Sequence, residues 1–310
     1  MTGNRRRVLG FAGVTAAVVA ALAVIAACTP PSGMSHGPGP ARVAGMSAGS
    51  GSTGAGGPAD AGSQGGGGLT TFRVECADSH VLADDPIVHP NMPGMSHLHE
   101  FFGNATTNAR STAASLLGQA TTCSASADAS GYWVPMLYQG GVALPARSTL
   151  VYYRGGSHRV PSQVQAFPAG LRMIAGNAMA TTPLPVAAVS WSCTGMTTTA
   201  AAPPTCPAGH MLTAQIRFPD CWDGRHLDSA DHKSHMAYTV NGLCPSNYPA
   251  QVPELELHAT YPTAGGPSTV LSSGAPFTYH ADFFNAWNQS ALVGFVNFCL
   301  HRGVVCGTVH

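Results

Sequence analysis

Val252-Pro253-Glu254-Leu255-Glu256-Leu257-His258 decides the fold class. Glu254, Glu256 and His258 fall on alternate positions with Leu255 and Leu257 between them, the period of two expected of a strand with one wet and one buried face. Outward from this stretch, Thr213 to Phe218 alternates in the same way, and Leu150 to Tyr153 is a short apolar run of β-favouring residues. The 24 prolines and 37 glycines interrupt such runs at turn-like intervals. The pattern predicts a mainly β fold, a sandwich or jelly roll in a single domain, with α+β as the alternative.

One helix is expected near the C-terminus. Phe284, Trp287, Ala291, Leu292, Phe295 and Phe298 recur at steps of three and four, an apolar stripe for a helix starting near Asp282 or Phe283. Asp282 would then sit at the helix N-terminus, where a carboxylate accepts backbone N–H groups, a structural role that competes with a catalytic one.

The first 69 residues read differently from the rest. Arg5, Arg6 and Arg7 precede an uncharged, mainly apolar run from Val8 to Ala27 that ends in Ile25-Ala26-Ala27-Cys28, the order of a secretory signal over 1–27. Its end resembles the lipobox of bacterial lipoproteins, which makes Cys28 the expected lipidation site and membrane anchor. An uncleaved membrane span is the alternative. Residues 28–69 are Gly, Ser, Ala and Pro with almost no large apolar side chain, a composition that leaves a disordered tether. The Gly45-Met46-Ser47-Ala48-Gly49 match to a nucleophile elbow lies in this tether, without the strand and helix such an elbow needs. The expected location is the outer face of the bacterial cell membrane, with the folded part at 70–310.

Cysteine usage fits that compartment. Beyond Cys28 there are eight cysteines, at 76, 123, 193, 206, 221, 244, 299 and 306. An even number in an exported chain points to four disulfides. Proximity pairs Cys193 with Cys206, Cys221 with Cys244 and Cys299 with Cys306, which leaves Cys76 with Cys123. Zinc held by thiolates is the weaker reading, because no Cys-x-x-Cys pair is present.

Net formal charge is zero and only 9% of the 310 residues are charged, which argues against nucleic acid as a partner. Against this background three short polar runs stand out: His97-Leu98-His99-Glu100, Asp231-His232-Lys233-Ser234-His235 and His280-Ala281-Asp282. His97 and His99 on one strand would share a face about 7 Å apart, and His232 and His235 could converge on a turn. With His280 they make a candidate metal set for zinc or copper, oriented by Asp228, Asp231 or Glu100. The same groups suit metal-free acid–base work. His97, His99 or His235 could take a proton, oriented by Asp231 or Asp282, and Asp231 with Asp282 is the carboxyl pair for glycoside hydrolysis. A lyase could use Tyr238 or Tyr279 as proton donor. Trp222, Trp287 and Tyr238 are candidate sugar platforms.

These runs also carry a resemblance. Asp84-Asp85-Pro86-Ile87-Val88, Pro93 through Asn104, Cys221-Trp222-Asp223-Gly224, Asp231 through Tyr238 and His280 through Trp287 resemble the domain of unknown function 1996, found in exported actinobacterial and fungal proteins. The resemblance brings no activity with it. Some fungal members carry carbohydrate-binding modules, which implies a polysaccharide-rich setting. The expectation is therefore a monomeric lipoprotein whose His/Asp cleft binds and cleaves a polysaccharide or other cell-surface glycan, as a hydrolase or lyase. The rivals are a non-catalytic metal-binding lipoprotein and an adhesive or scaffolding module.

Overall fold

Glu254–Tyr261 forms a strand whose burial alternates as its sequence does: Leu255, Leu257, Ala259 and Tyr261 are fully buried, while Glu256 and His258 are half-buried on the other face. The computed structural model describes residues 70–310 except 156, 157 and 159. The leader at 1–27, the lipidation site Cys28 and the tether at 28–69 lie outside the described residues.

Two sheets hold eleven strands. In chain order these are β1 (Thr71–Cys76), β2 (Asp78–Leu82), β3 (His99–Gly103), β4 (Gly131–Pro135), β5 (Ser148–Arg154), β6 (Arg172–Gly176), β7 (Val189–Cys193), β8 (Leu212–Arg217), β9 (Glu254–Tyr261), β10 (His280–Phe284) and β11 (Val305–Thr308). The larger sheet runs β11-β1-β5-β9-β8-β7, antiparallel apart from the β11–β1 pair. The smaller runs β2-β3-β4-β10-β6 and is antiparallel throughout. Phe72, Val151, Tyr153, Leu257 and Ile216 from the first sheet pack in one core with Phe102, Tyr132, Met173 and Phe283 from the second. The fold is a mainly β sandwich, as the alternation predicts. Two further sheets of three short strands border it.

The smaller sheet is buried on both faces: every residue of β3, β4 and β10 is buried. Its outer face carries a second apolar cluster of Phe101, Trp133 and Phe284 with Ile87 and Leu116, which come from the segment between β2 and β4. That covering segment encloses the polar side chains of the outer face.

The C-terminal helix is shorter than its sequence suggests. It spans Gln289–Phe295, capped by Asn288, whose side chain accepts from the Ala291 N–H, and a wider helical turn follows at Val296–Leu300. Asp282 is no helix cap, because His280–Phe284 is a strand inside the smaller sheet. Phe284 and Trp287 matched helical spacing but are buried through sheet and loop packing, whereas Phe298 is 53% exposed beneath Arg302. All four disulfides pair as proximity predicts: Cys76–Cys123, Cys193–Cys206, Cys221–Cys244 and Cys299–Cys306.

Candidate metal centre

Parity along the strands assigns the polar residues to a face. Phe102 of β3 and Phe283 of β10 point into the main core, so Phe101 and His99, and likewise His280, Asp282 and Phe284, point outward. The covering segment is fastened by Asp84, whose carboxylate accepts from the Gly94 N–H at 2.8 Å and the Ala109 N–H at 2.9 Å. This brings His97 against the ends of β3 and β10. At the end of β6, Gly176 has φ +75° and a Cβ there would lie 2.5 Å from the Tyr279 carbonyl oxygen. Only glycine lets β6 approach the His280 strand so closely.

His97, His99 and His280 converge. The Nε2 atoms of His97 and His280 are 3.2 Å apart, and those of His99 and His280 are 3.4 Å apart. Tetrahedral ligands at the usual zinc–imidazole bond length sit about 3.3 Å from each other. The other ring nitrogens show what these atoms can do. His99 Nδ1 faces the Asp84 carbonyl oxygen at 2.9 Å, and His280 Nδ1 faces the Thr278 carbonyl oxygen at 2.9 Å. A carbonyl only accepts, so both Nδ1 atoms carry hydrogen, and a neutral ring then has a bare Nε2. Burial keeps both rings neutral, taking His99 well below the ordinary histidine value and His280 to about 4. His97, half-buried, is lowered by burial and by His89. The Nε2 lone pairs of His99 and His280 therefore face each other in a buried site, an arrangement able to hold a cation.

Carboxylates stand beside the three imidazoles. Asp85 and Asp282 group with His99, their ligand atoms within 4.8 Å of one another. Asp282 is 1% exposed, and neither carboxyl oxygen has a hydrogen-bond partner. Burial raises it well above the usual carboxylate range and raises Asp85 as well. Asp85 Oδ1 accepts from the Ile87 and Val88 N–H groups at 2.8 and 2.9 Å. Lys233 donates to the Gly176 carbonyl oxygen at 2.7 Å, and its charge reaches Asp282 through space.

The turn that carries Lys233 is built differently. Asp231 Oδ1 accepts from the Ser229 and Ser234 hydroxyls and from the Lys233 and Ser234 N–H groups. The Ser234 N–H, with the other donors, holds its carboxyl well below the usual range. His235, assigned by sequence to catalysis and to the metal, is buried with Nδ1 on Ser229 Oγ at 2.9 Å and Nε2 on the Arg172 carbonyl at 2.7 Å. No nitrogen is left for an ion. His232 holds φ +59° and places Nδ1 against both oxygens of Asp228 at 2.9 and 3.1 Å. Arg172 Nη1 fixes that carboxylate at 3.0 Å.

Tyr238 donates to the Arg217 carbonyl at 2.9 Å, and burial pushes it up to about 12. Its charged neighbours are Arg217, Asp220 and Glu254, none of them in the centre. Tyr279 and Trp287 are core residues, and Trp222 is half-buried with Nε1 donating to the His226 carbonyl. Glu100 points to the opposite face of β3 from His99, where its Oε1 accepts from the Ala146 N–H. Sequence reasoning passed over Asp84, Asp85 and Lys233 as site residues. An Asp-Asp pair and a lone lysine in a chain with so few charges are the signals that could have found them. Among the described residues, two other groupings with metal-like spacing contain Cys221 with Cys244 and Cys76 with Cys123, whose sulfurs are already spent in disulfides.

A model of the family described as Domain of unknown function (DUF1996) matches residues 85–287. The match runs from Asp85, through the three imidazoles and Asp282, to Trp287. No curated protein and no solved structure matches the chain.

Proposed function

The chain belongs to the family of domain of unknown function 1996, and we propose that it is an extracytoplasmic metal-dependent hydrolase, with an acyl group on a cell-surface glycan as substrate. His97, His99 and His280 hold the ion in this reading. The observation that carries it is the pair of buried imidazoles, His99 and His280, whose Nδ1 atoms are tied to carbonyls while their Nε2 atoms face each other at 3.4 Å, with His97 Nε2 3.2 Å from His280 Nε2. Imidazole donors without thiolate suit zinc or copper. Three protein ligands with room for a fourth is the pattern of catalytic zinc sites, and half-buried His97 is the side from which a substrate would enter. Bound there, zinc would polarise a carbonyl and acidify a water.

The chain's own residues supply the rest. His232, oriented by Asp228 and Arg172, is the proton acceptor at the rim, and its positive φ is the kind of backbone strain that recurs at working sites. Asp85 lies within electrostatic reach of His232. Metal-free glycoside cleavage has less support, since Asp231 Oδ1 is engaged by its own turn. Lyase chemistry has less as well, given the placement of Tyr238 and Tyr279. The glycan rests on what the family resemblance implies, and the lipid anchor at Cys28 belongs to the same proposal.

The test is metal content followed by acetate release. Untagged chain should carry zinc after reconstitution and release acetate from acetylated chitooligosaccharides or acetylated xylan, and His280→Ala should lose both. Zinc binding without acetate release from either would remove the hydrolase half of the proposal and keep the metal. A copper-handling role is the second reading, favoured by Met92 and Met95, which are 46% and 57% exposed in the loop before His97. Thioethers prefer Cu(I). That reading falls if Met92→Leu with Met95→Leu leaves Cu(I) affinity unchanged.

A further inference from the structure

We infer that a second divalent cation binds next to the first, between Asp85 and Asp282, so that the centre is dinuclear. The inference rests on the metal reading above.

Two donor sets share one residue: His97, His99 and His280 form the first, and Asp85, His99 and Asp282 the second. His99 cannot serve both as a bridging imidazole, because its Nδ1 is committed to the Asp84 carbonyl and one lone pair is left. The second set therefore has its own capacity in carboxylate oxygens. Asp282 is the informative residue. It is 1% exposed, it lies in the interior of the sheet, and both Oδ1 and Oδ2 lack a partner. A buried carboxylate with two idle oxygens is costly unless something positive meets it.

Asp282 groups with His99 and Asp85 but not with His97 and His280, so an ion held by the three imidazoles would leave its oxygens unanswered. A second ion, at the roughly 3.5–4 Å spacing usual in two-metal sites, would answer them. Asp85 completes the second position. Its Oδ1 is engaged by two backbone N–H groups, which fix the side chain and leave Oδ2 as the oxygen free to take an ion. Lys233 does not substitute for the ion, since its Nζ hydrogen bond goes to the Gly176 carbonyl and none goes to Asp282. Across the cross-strand pair from Asp282, Trp133 Nε1 is buried and also without a partner. This indole N–H is a second unanswered polar group beside Asp282. Oxygen donors with an open water position suit zinc or manganese.

The experiment is stoichiometry on the full, untagged chain stripped of metal. It is titrated first with Zn2+ alone, then with Mn2+ after one equivalent of Zn2+, and bound metal is measured by mass spectrometry after gel filtration. The expected result is about two equivalents in the wild type, falling to about one in Asp282→Asn and in Asp85→Asn. Mixed Zn2+/Mn2+ loading should add a protein-bound Mn2+ resonance signal that Asp282→Asn removes. A wild type that saturates at one equivalent overturns the second ion and leaves the imidazole site intact, and the wild-type count decides this even if a variant fails to fold. A wild type that takes up none overturns the metal reading itself.

Discussion

The turn from Asp228 to His235 and the meeting point of His97, His99 and His280 contain the same residue types, and the protein treats them in opposite ways. In the turn, Asp231 Oδ1 has four donors and both nitrogens of His235 are bonded to protein atoms. At the meeting point, one nitrogen of His99 and of His280 is bonded to protein and the other faces its neighbours, while Asp282 has no hydrogen-bond partner. Buried polar groups are ordinarily satisfied by protein or ordered water, so the first region is structure and the second keeps the capacity to hold a ligand. What separates a site from a brace is therefore the bonding capacity left over after folding, rather than the presence of histidine and aspartate.

The largest effect that could break this contrast is on metal affinity. His280→Ala or His99→Ala should weaken zinc binding by more than the roughly 10–100-fold typical of losing an outer-shell partner. His235→Ala should leave it unchanged and instead cost about 1–3 kcal/mol of stability, because the Arg172 carbonyl and Ser229 hydroxyl lose their partner. Calorimetric zinc titration and denaturant melts of the two variants compare them directly. Equal loss of zinc in both would erase the distinction between the regions.

Glu100 sharpens it with a half-satisfied case. One of its oxygens accepts from Ala146, the other has no partner, and burial raises it to about 8. The folded state then holds a proton that the unfolded chain gives up near the ordinary value of 4.5. Stability from this group is full below the unfolded value and declines as pH rises towards 8, by up to about 1.4 kcal/mol per pH unit. Glu100→Gln should flatten that decline, with the gain over the wild type growing from pH 5 to pH 8 in denaturant melts. Parallel pH profiles for the two proteins would place the proton elsewhere.

Gly176→Ala tests the scaffold behind His280. The added Cβ meets the Tyr279 carbonyl oxygen at 2.5 Å in a positive-φ conformation, so a loss of about 1–3 kcal/mol is expected, with weaker zinc binding. The smallest effect belongs to Asp231→Ala. It should loosen the exposed turn and lower the melting temperature modestly without changing zinc stoichiometry; a drop in bound zinc would return Asp231 to the site.

Much of the scaffold was legible beforehand. Alternation in 252–258 identified a strand with its correct faces, and proximity paired all eight cysteines found at 76–306. Of the site, His97, His99 and His280 were legible as candidates, yet so were His232 and His235, and their spacing could not rank them. Asp282 was divided between helix cap and site, because Phe284 and Trp287 mimic helical spacing while being buried for other reasons. Asp85 was overlooked because its partners in the centre come from β3 and β10, 14 and 197 residues further on.

Sequence alone therefore determined the β-rich class, the disulfide pairing and a short roster of polar residues, since those follow from periodicity, local spacing and residue chemistry. Tertiary structure decided which of the imidazoles keep a free nitrogen. The atoms that settle it are the backbone carbonyls of Asp84, Thr278 and Arg172. Every residue type carries such a carbonyl, so where one points is encoded by the path of the chain and by no letter in the sequence.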